Sequence, residues 1–324
     1  MTTDTSAHPG RPDEPEDPVA EMLRVLDLTP LGTATTSVSG LPGQDAAALG
    51  TTELDVFVGD SQKMPHSRVF GGQVLAQSVM AAGRTMAEVE AEHGPRPIHS
   101  LHAYFIRPGD DTIPVQFAVE RMRDGASFSA RRVHAIQHGR PILSAQCSFQ
   151  AYAEGLDHQD PMPEVARPED LPSVADLVDD LDDLRARHVA RRPIEQRHVE
   201  GNLWGAVDES ARPEQHVWMR ALAPLPDDPL LHAAVLAYAS DYALLEPVLR
   251  RHRLAWPDPR LRMASLDHAM WFNRPARIDD WILYAQSSPT AQGGRGLGLG
   301  RMFTSDGTLA ATVAQEGMVR LKQG

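Results

Sequence analysis

The chain carries one pattern twice, and this limits its fold more than any other feature. Gly72-Gln73-Val74-Leu75-Ala76-Gln77-Ser78-Val79-Met80-Ala81-Ala82 aligns with Ala233-Ala234-Val235-Leu236-Ala237-Tyr238-Ala239-Ser240-Asp241-Tyr242-Ala243 at an offset of 161 residues. Further on, Tyr104-Phe105-Ile106-Arg107-Pro108 aligns with Trp271-Phe272-Asn273-Arg274-Pro275 at an offset of 167. Two matches in the same order, separated by the length of one loop insertion, indicate a duplicated fold unit. The copies differ in polar content: Met80, Ile98 and Ser148 of the first stand opposite Asp241, Ser265 and Gln315 of the second. Duplication followed by divergence leaves one copy as scaffold and one as site, so the chemistry is expected in the second half.

The 324 residues accommodate two domains of about 150 residues each. The net charge of −13 is local: residues 1–22 carry −5 and residues 156–185 carry −8, leaving the rest near neutral. The acidity therefore sits on a tail and a linker. It speaks against a nucleic-acid partner, which requires a basic face. No apolar run approaches the roughly 18 residues of a membrane span. The Pro-rich acidic N-terminus has no apolar core and is the opposite of a signal peptide. A single cysteine, Cys147, rules out an intrachain disulfide and a cysteine metal cluster. The C-terminal Lys322-Gln323-Gly324 is not a Ser-Lys-Leu address. A cytoplasmic location is expected.

The reading assigns a disordered acidic tail to residues 1–19, a first unit to 20–155, an acidic linker to 156–200 and a second unit to 201–324. Within them, residues 20–27 read as a short helix, 32–50 as loop, and Leu54–Val58 as the start of strand. Residues 72–90 read as a helix with apolar or small residues on nearly all sides. Four strand-like runs follow at 98–106, 114–123, 127–137 and 141–151. In the linker, Asp176–Arg187 shows a helical leucine stripe. The second unit repeats the order, with a strand at 215–222, a helix at 230–250, and strands at 262–272, 281–288, 295–303 and 308–320. A long apolar helix followed by antiparallel strands implies a sheet wrapped about its own helix. That is the hotdog architecture, and two copies make an α+β double hotdog.

Asp241 falls in an apolar helix, where a carboxylate is costly unless paired or useful. Its ordinary alternative is a solvent-facing helix position. Ser265 precedes an aromatic-rich strand and equally reads as a strand-edge hydroxyl. Gln315 equally reads as an exposed polar residue of an alternating strand. What links the three is that one repeat holds them all and the other holds none. Gly296-Leu297-Gly298-Leu299-Gly300 resembles a dinucleotide loop but lacks a following helix, so close backbone approach within a strand is the better reading. His99, His102 and His268 lie in strand patterns without metal-like partners and read as core histidines or supports of the site. Arg121, Arg123, Arg131 and Arg132 read equally as phosphate contacts and as a solvated strand edge. No Gly-x-Ser-x-Gly elbow is present.

Several longer segments carry a family resemblance. They are Val69–Gln73, His99–Gly109, Arg123–Val133, Tyr238–Asp241, Ser265–Phe272 and Ala314–Gly317. Together they resemble the acyl-CoA thioesterase II family over residues 20–322. The resemblance implies a double hotdog that hydrolyses acyl-CoA to free acid and CoA without metal or cofactor, and that forms a homodimer or larger assembly. It implies a water-holding set of Asp241, Ser265 and Gln315, with serine as the hydroxyl variant. On the matched segments Gly71, Gly72, Gln73, His99 and Arg131 are expected to bind substrate. Such a set suits a thioester, which is already activated and needs an aimed water more than a covalent nucleophile. Medium- to long-chain substrates are expected. Two rivals remain: an acyl-CoA-binding protein without turnover, and a hotdog hydratase. The hydratase pattern places His five residues after Asp, and here that position is Glu246.

Overall fold

A computed structural model describes residues 17–37, 51–178 and 188–322. The first unit opens with α1 (Pro18–Leu26), β1 (Thr29–Ser37) and β2 (Thr51–Gly59). It continues through α2 (Gly71–Arg84), α3 (Ala87–His93), β3 (Ile98–Phe105), β4 (Val115–Asp124), β5 (Phe128–Gln137) and β6 (Arg140–Gln150). A short helix, α4 (Val174–Val178), lies between the units. The second unit consists of β7 (Ile194–His198), β8 (Glu214–Ala221), α5 (Pro229–Ser240), α6 (Glu246–Arg251), β9 (Leu261–Ser265), β10 (Asp267–Phe272), β11 (Ile282–Gln292), β12 (Arg295–Thr304) and β13 (Leu309–Leu321). The strands run in the order β1-β2-β4-β5-β6-β3-β10-β13-β12-β11-β8-β7, with β9 also on β13. The two halves share one sheet, joined where β3 pairs antiparallel with β10 through Leu101 and Met270.

Both long helices lie inside this sheet. On α2 every residue from Gly72 to Ala82 is buried, so its apolar surround needs no polar face. The helices pack antiparallel at backbone distance because glycines stand at the contact. A Cβ on Gly72 would lie 2.3 Å from the Tyr238 carbonyl oxygen, and one on Gly83 would lie 2.4 Å from the Leu230 side chain. The start of α2 thereby meets the end of α5, and the end of α2 meets the start of α5. One apolar cluster includes buried residues of both helices and of the strands around them.

Both long helices are shorter than the apolar patterns suggest. The run 72–90 breaks at Thr85 and Met86, whose N–H groups bond the carbonyls of Ala82 and Gly83. The run 230–250 breaks after Ser240, where the Tyr242 N–H bonds the Ala239 carbonyl, and Pro247 has no N–H to bond the Ala243 carbonyl. That carbonyl instead accepts from the Glu246 N–H and the Gln215 side chain. The strand expected at 262–272 is interrupted at Leu266, whose N–H leaves the ladder for the Glu316 carbonyl.

The region read as loop at 32–50 is strand as far as Ser37, with a register shift between Pro30 and Gly32, and residues 38–50 lie outside the described residues. Helix α1 starts at Pro18, capped by Asp17, within the segment read as tail; residues 1–16 are outside the described set. The stretch read as linker contributes β7, which pairs with β8 and so belongs to the second sheet half. Of the helix expected at 176–187, only the part ending at Val178 is described.

Candidate active site

The end of α5 carries the site. Asp241 is the residue that ends the helix, and its carboxylate turns toward the start of α2. Ser265 is the last residue of β9. Gln315 lies on the inward face of β13 between Val313 and Gly317, and 1% of it is exposed, so the alternation of that strand points it in rather than out. The Gln315 amide nitrogen donates to Asp241 Oδ1 at 2.9 Å and to Ser265 Oγ at 2.8 Å. Ser265 Oγ donates to the same Oδ1 at 3.2 Å. These residues come from three elements spread over 75 positions of sequence, Asp241 to Gln315 inclusive.

The fourth partner comes from the other unit. The Gly72 backbone N–H donates to the Asp241 carboxylate. Nothing larger than glycine fits at Gly71, where a Cβ would lie 2.6 Å from Asp241 Oδ2 and 3.1 Å from the Phe105 ring. Helix α2 has no side-chain cap, so its first N–H groups are available at this point. Burial pushes the Asp241 carboxyl up to about 6, against the opposing pull of Gln315, Ser265, Gly72 and the Arg192 charge. A carboxyl so placed is ionised at neutral pH and still basic enough to take a proton.

Asp241, Ser265 and Gln315 line a cleft of about 740 Å³. Its walls include Phe70, Phe105, Tyr242, Leu245 and Trp204. The Phe70 and Tyr242 rings stack at 4.8 Å, and the Arg192 guanidinium lies 4.2 Å from the Tyr242 ring centre. Arg68, Arg107 and Arg262 also line the cleft, and all three are exposed. Among the described residues, Asp241 is the only carboxylate that lines the cleft. Among the described residues no group of His, Cys, Asp and Glu is arranged to hold a metal.

The residues expected to bind substrate separate into two groups. Gly71 and Gly72 are at the site. Gln73, His99 and Arg131 are not. Gln73 is buried, accepting from the Gln62 N–H and donating to the Asp60 carbonyl and to Gln77, so it ties the entry of α2 to the chain before it. His99 bonds Ser148 at 2.8 Å and meets the edge of Phe128. Arg131 is fully buried, paired with Asp124 and donating to Thr85, where an internal carboxylate satisfies it. Arg121 pairs with Asp55 and Glu88, and Arg132 with Glu120. Glu246 accepts from the Trp256 indole and is no part of the cleft wall. The cleft arginines lie in turns and on the short β9, where nothing local distinguishes a ligand-facing arginine from a solvated one. Arg107 alone belongs to a segment matched between the repeats.

A single antiparallel sheet wrapped over two antiparallel helices, with one carboxylate held where one helix ends and the other begins, defines a double-hotdog protein. Two family models match, one described as acyl-CoA thioesterase over residues 184–318 and one as acyl-CoA thioesterase N-terminal domain over residues 60–150. Human acyl-coenzyme A thioesterase 8 is 40% identical over 303 residues, covering 87% of this chain and 92% of its own. Acyl-CoA thioesterase 2 of Haemophilus influenzae is 37% identical, covering 83% and 93%. The solved acyl-CoA thioesterase II of Mycobacterium marinum superimposes with a TM-score of 0.69 at 38% identity, covering 94% of this chain and 99% of that one. The chain belongs to the acyl-CoA thioesterase II family. It is an enzyme that hydrolyses acyl-CoA thioesters.

Proposed function

We propose that this enzyme hydrolyses medium- to long-chain acyl-CoA with a water activated by Asp241. The observation that carries the proposal is the Asp241 carboxylate on the cleft wall, held by Ser265 and Gln315 and raised by burial to about 6. Ser265 gives its proton to Asp241 and accepts one from Gln315, which leaves a lone pair on its oxygen. A water that donates one hydrogen to Asp241 and the other to Ser265 presents its own lone pair to the thioester carbon. Asp241 takes the proton as the C–O bond forms. The tetrahedral oxyanion falls to the Gly71 N–H at the uncapped start of α2, where the helix dipole also favours negative charge. Collapse expels the CoA thiolate, which takes up the proton, and the free acid leaves.

The aromatic and aliphatic cleft walls suit an acyl chain and pantetheine. The exposed Arg68, Arg107 and Arg262, with no carboxylate contact among the described residues, suit the CoA phosphates. No described helix is long and apolar enough to cross a membrane. A cytoplasmic location fits the acyl-CoA substrate and the buried free thiol of Cys147. A homodimer or larger assembly is supported by the exposed Tyr104 and Trp271 on the strands that join the two units.

The test is CoA release from decanoyl- and palmitoyl-CoA by the wild type beside Asp241→Asn. Release by the wild type, lost in the variant, supports the activity and its base. Equal release by both would keep the thioesterase and discard this site.

A further inference from the structure

The catalytic trio works only with the Gln315 amide one way round. The Gln315 amide can sit either way round, and only one way gives Asp241 a donor. A flipped Gln315 would set its carbonyl oxygen against the Asp241 carboxylate and remove both donated hydrogen bonds. Asp241 and Ser265 contact the nitrogen end. The oxygen end is met by one residue, His268, whose Nδ1 lies in a short hydrogen bond with Gln315 Oε1. His268 is fully buried on β10, and its Nε2 lies 2.9 Å from Ser240 Oγ, on the last residue of α5 before Asp241.

The roles in this chain follow from charge. An ionised Asp241 only accepts, so Gln315 must direct its nitrogen there and its oxygen to His268. Nδ1 of His268 must then carry a proton. Among the described residues no carboxylate touches His268, and a cationic imidazole buried without a counter-charge is costly; burial pushes it down to about 4. The ring is therefore neutral, Nε2 is bare, and the Ser240 hydroxyl must donate to it. Ser240 has a second possible acceptor, the Ala237 carbonyl at 2.8 Å, but one proton cannot serve both. Resting on the reading of Asp241, Ser265 and Gln315 as the catalytic trio, we propose that His268 is the positioning residue of the site. Held as its Nδ1–H tautomer by Ser240, it locks the Gln315 amide with its nitrogen toward Asp241 and Ser265. His268 touches no substrate. It acts through Gln315, and it couples the orientation of that amide to the end of the helix that presents the base.

Asparagine and glutamine substitutions separate this role from simple packing, because the asparagine amide nitrogen overlays the Nδ1 position and the glutamine nitrogen the Nε2 position. Steady-state kinetics on acyl-CoA should show His268→Leu losing kcat by about 10- to 100-fold with KM nearly unchanged. His268→Asn should recover most of that loss, and His268→Gln should not. Equal kcat for the Asn and Gln variants, or wild-type kcat in His268→Leu, would overturn the proposal. If the Leu variant does not fold, the Asn and Gln pair decides alone. In parallel, 15N NMR of the imidazole in the wild-type enzyme should report the Nδ1–H tautomer. An Nε2–H form would refute the lock directly. Gln315→Ala separates the lock from the trio it serves. If it keeps wild-type turnover, the trio itself is wrong. If it is inactive while His268→Leu is fully active, only the lock is wrong.

Discussion

The two halves of the molecule present the same helix ends to each other and do opposite things with them. At the start of α2 there is glycine and no side-chain cap, so backbone N–H groups face Asp241. At the start of α5 the equivalent of Gly71 is His232, and the helix is closed by its own Asp228, which accepts from the Leu230 N–H. In the repeat alignment Met80 takes the place of Asp241, with Ile98 and Ser148 in the remaining places, and Met80 and Ile98 are both 6% exposed. Ser148 spends its hydroxyl on His99 and the Ser129 carbonyl. The junction without the carboxylate is thus filled and capped, and the one that holds Asp241 is opened and left without a side-chain cap. On the proposed reading, three polar side chains are not enough, and the opposing helix must also begin with small residues and available N–H groups.

The sharpest test of this contrast is a matched pair of substitutions. Asp241→Asn should lower kcat about 100-fold or more with little change in KM, whereas Met80→Asn should leave turnover per folded molecule unchanged; steady-state assays of both decide. Next, Gly71→Ala should cost on the order of 10-fold in kcat, because the added methyl meets Asp241 Oδ2 at 2.6 Å. Wild-type kcat in that variant would show that the uncapped start of α2 is not needed. Met80→Asp should create no second site, since Ile98, Ser148 and His232 remain, and active-site titration should still count one per chain. The same variant should lose about 3 kcal/mol of stability in denaturant titrations, the cost of an unpaired buried carboxylate.

The smallest expected effects concern pH. With Asp241 as the proposed base, kcat/KM should rise as pH increases through about 6 and level off above it. The folded carboxyl is raised above its unfolded value of 3.8, so the folded state binds that proton more tightly than the unfolded one. Stability contributed by this group is therefore present at low pH and falls as pH rises toward 6. Asp241→Asn should accordingly be more stable than the wild type above pH 6, by about 3 kcal/mol, and lose that advantage below pH 4. An advantage independent of pH would argue against a strained, buried carboxylate.

Much of this was legible before any coordinates. The duplication, the enclosed helices and the acidic residue missing from the first copy all follow from pattern, because a helix without a polar face has to be covered on all sides. Element ends were less legible. Pro247 and the Leu266 interruption act locally, but apolar periodicity runs straight through both. The substrate-binding expectations at His99 and Arg131 did not match the cleft, since each is satisfied by a partner that only folding supplies: Ser148 for one, and Asp124 with Thr85 for the other. In a linear reading a buried arginine paired internally and an arginine facing a ligand look alike. The strand pattern around His268 fits a core or supporting histidine, and its sequence neighbours say nothing of Gln315, 47 positions away.

By itself, then, the sequence determined the two-unit plan and which half carries the polar residues, because repeats and apolar periods are local properties that survive without contacts. The tertiary structure decided the rest. Only the antiparallel packing of α2 on α5 brings Gly71 and Gly72 against a carboxylate about 170 residues later in the chain. Only burial there raises the carboxyl of an ordinary aspartate to about 6, because the cost of holding a charge depends on what surrounds it in space.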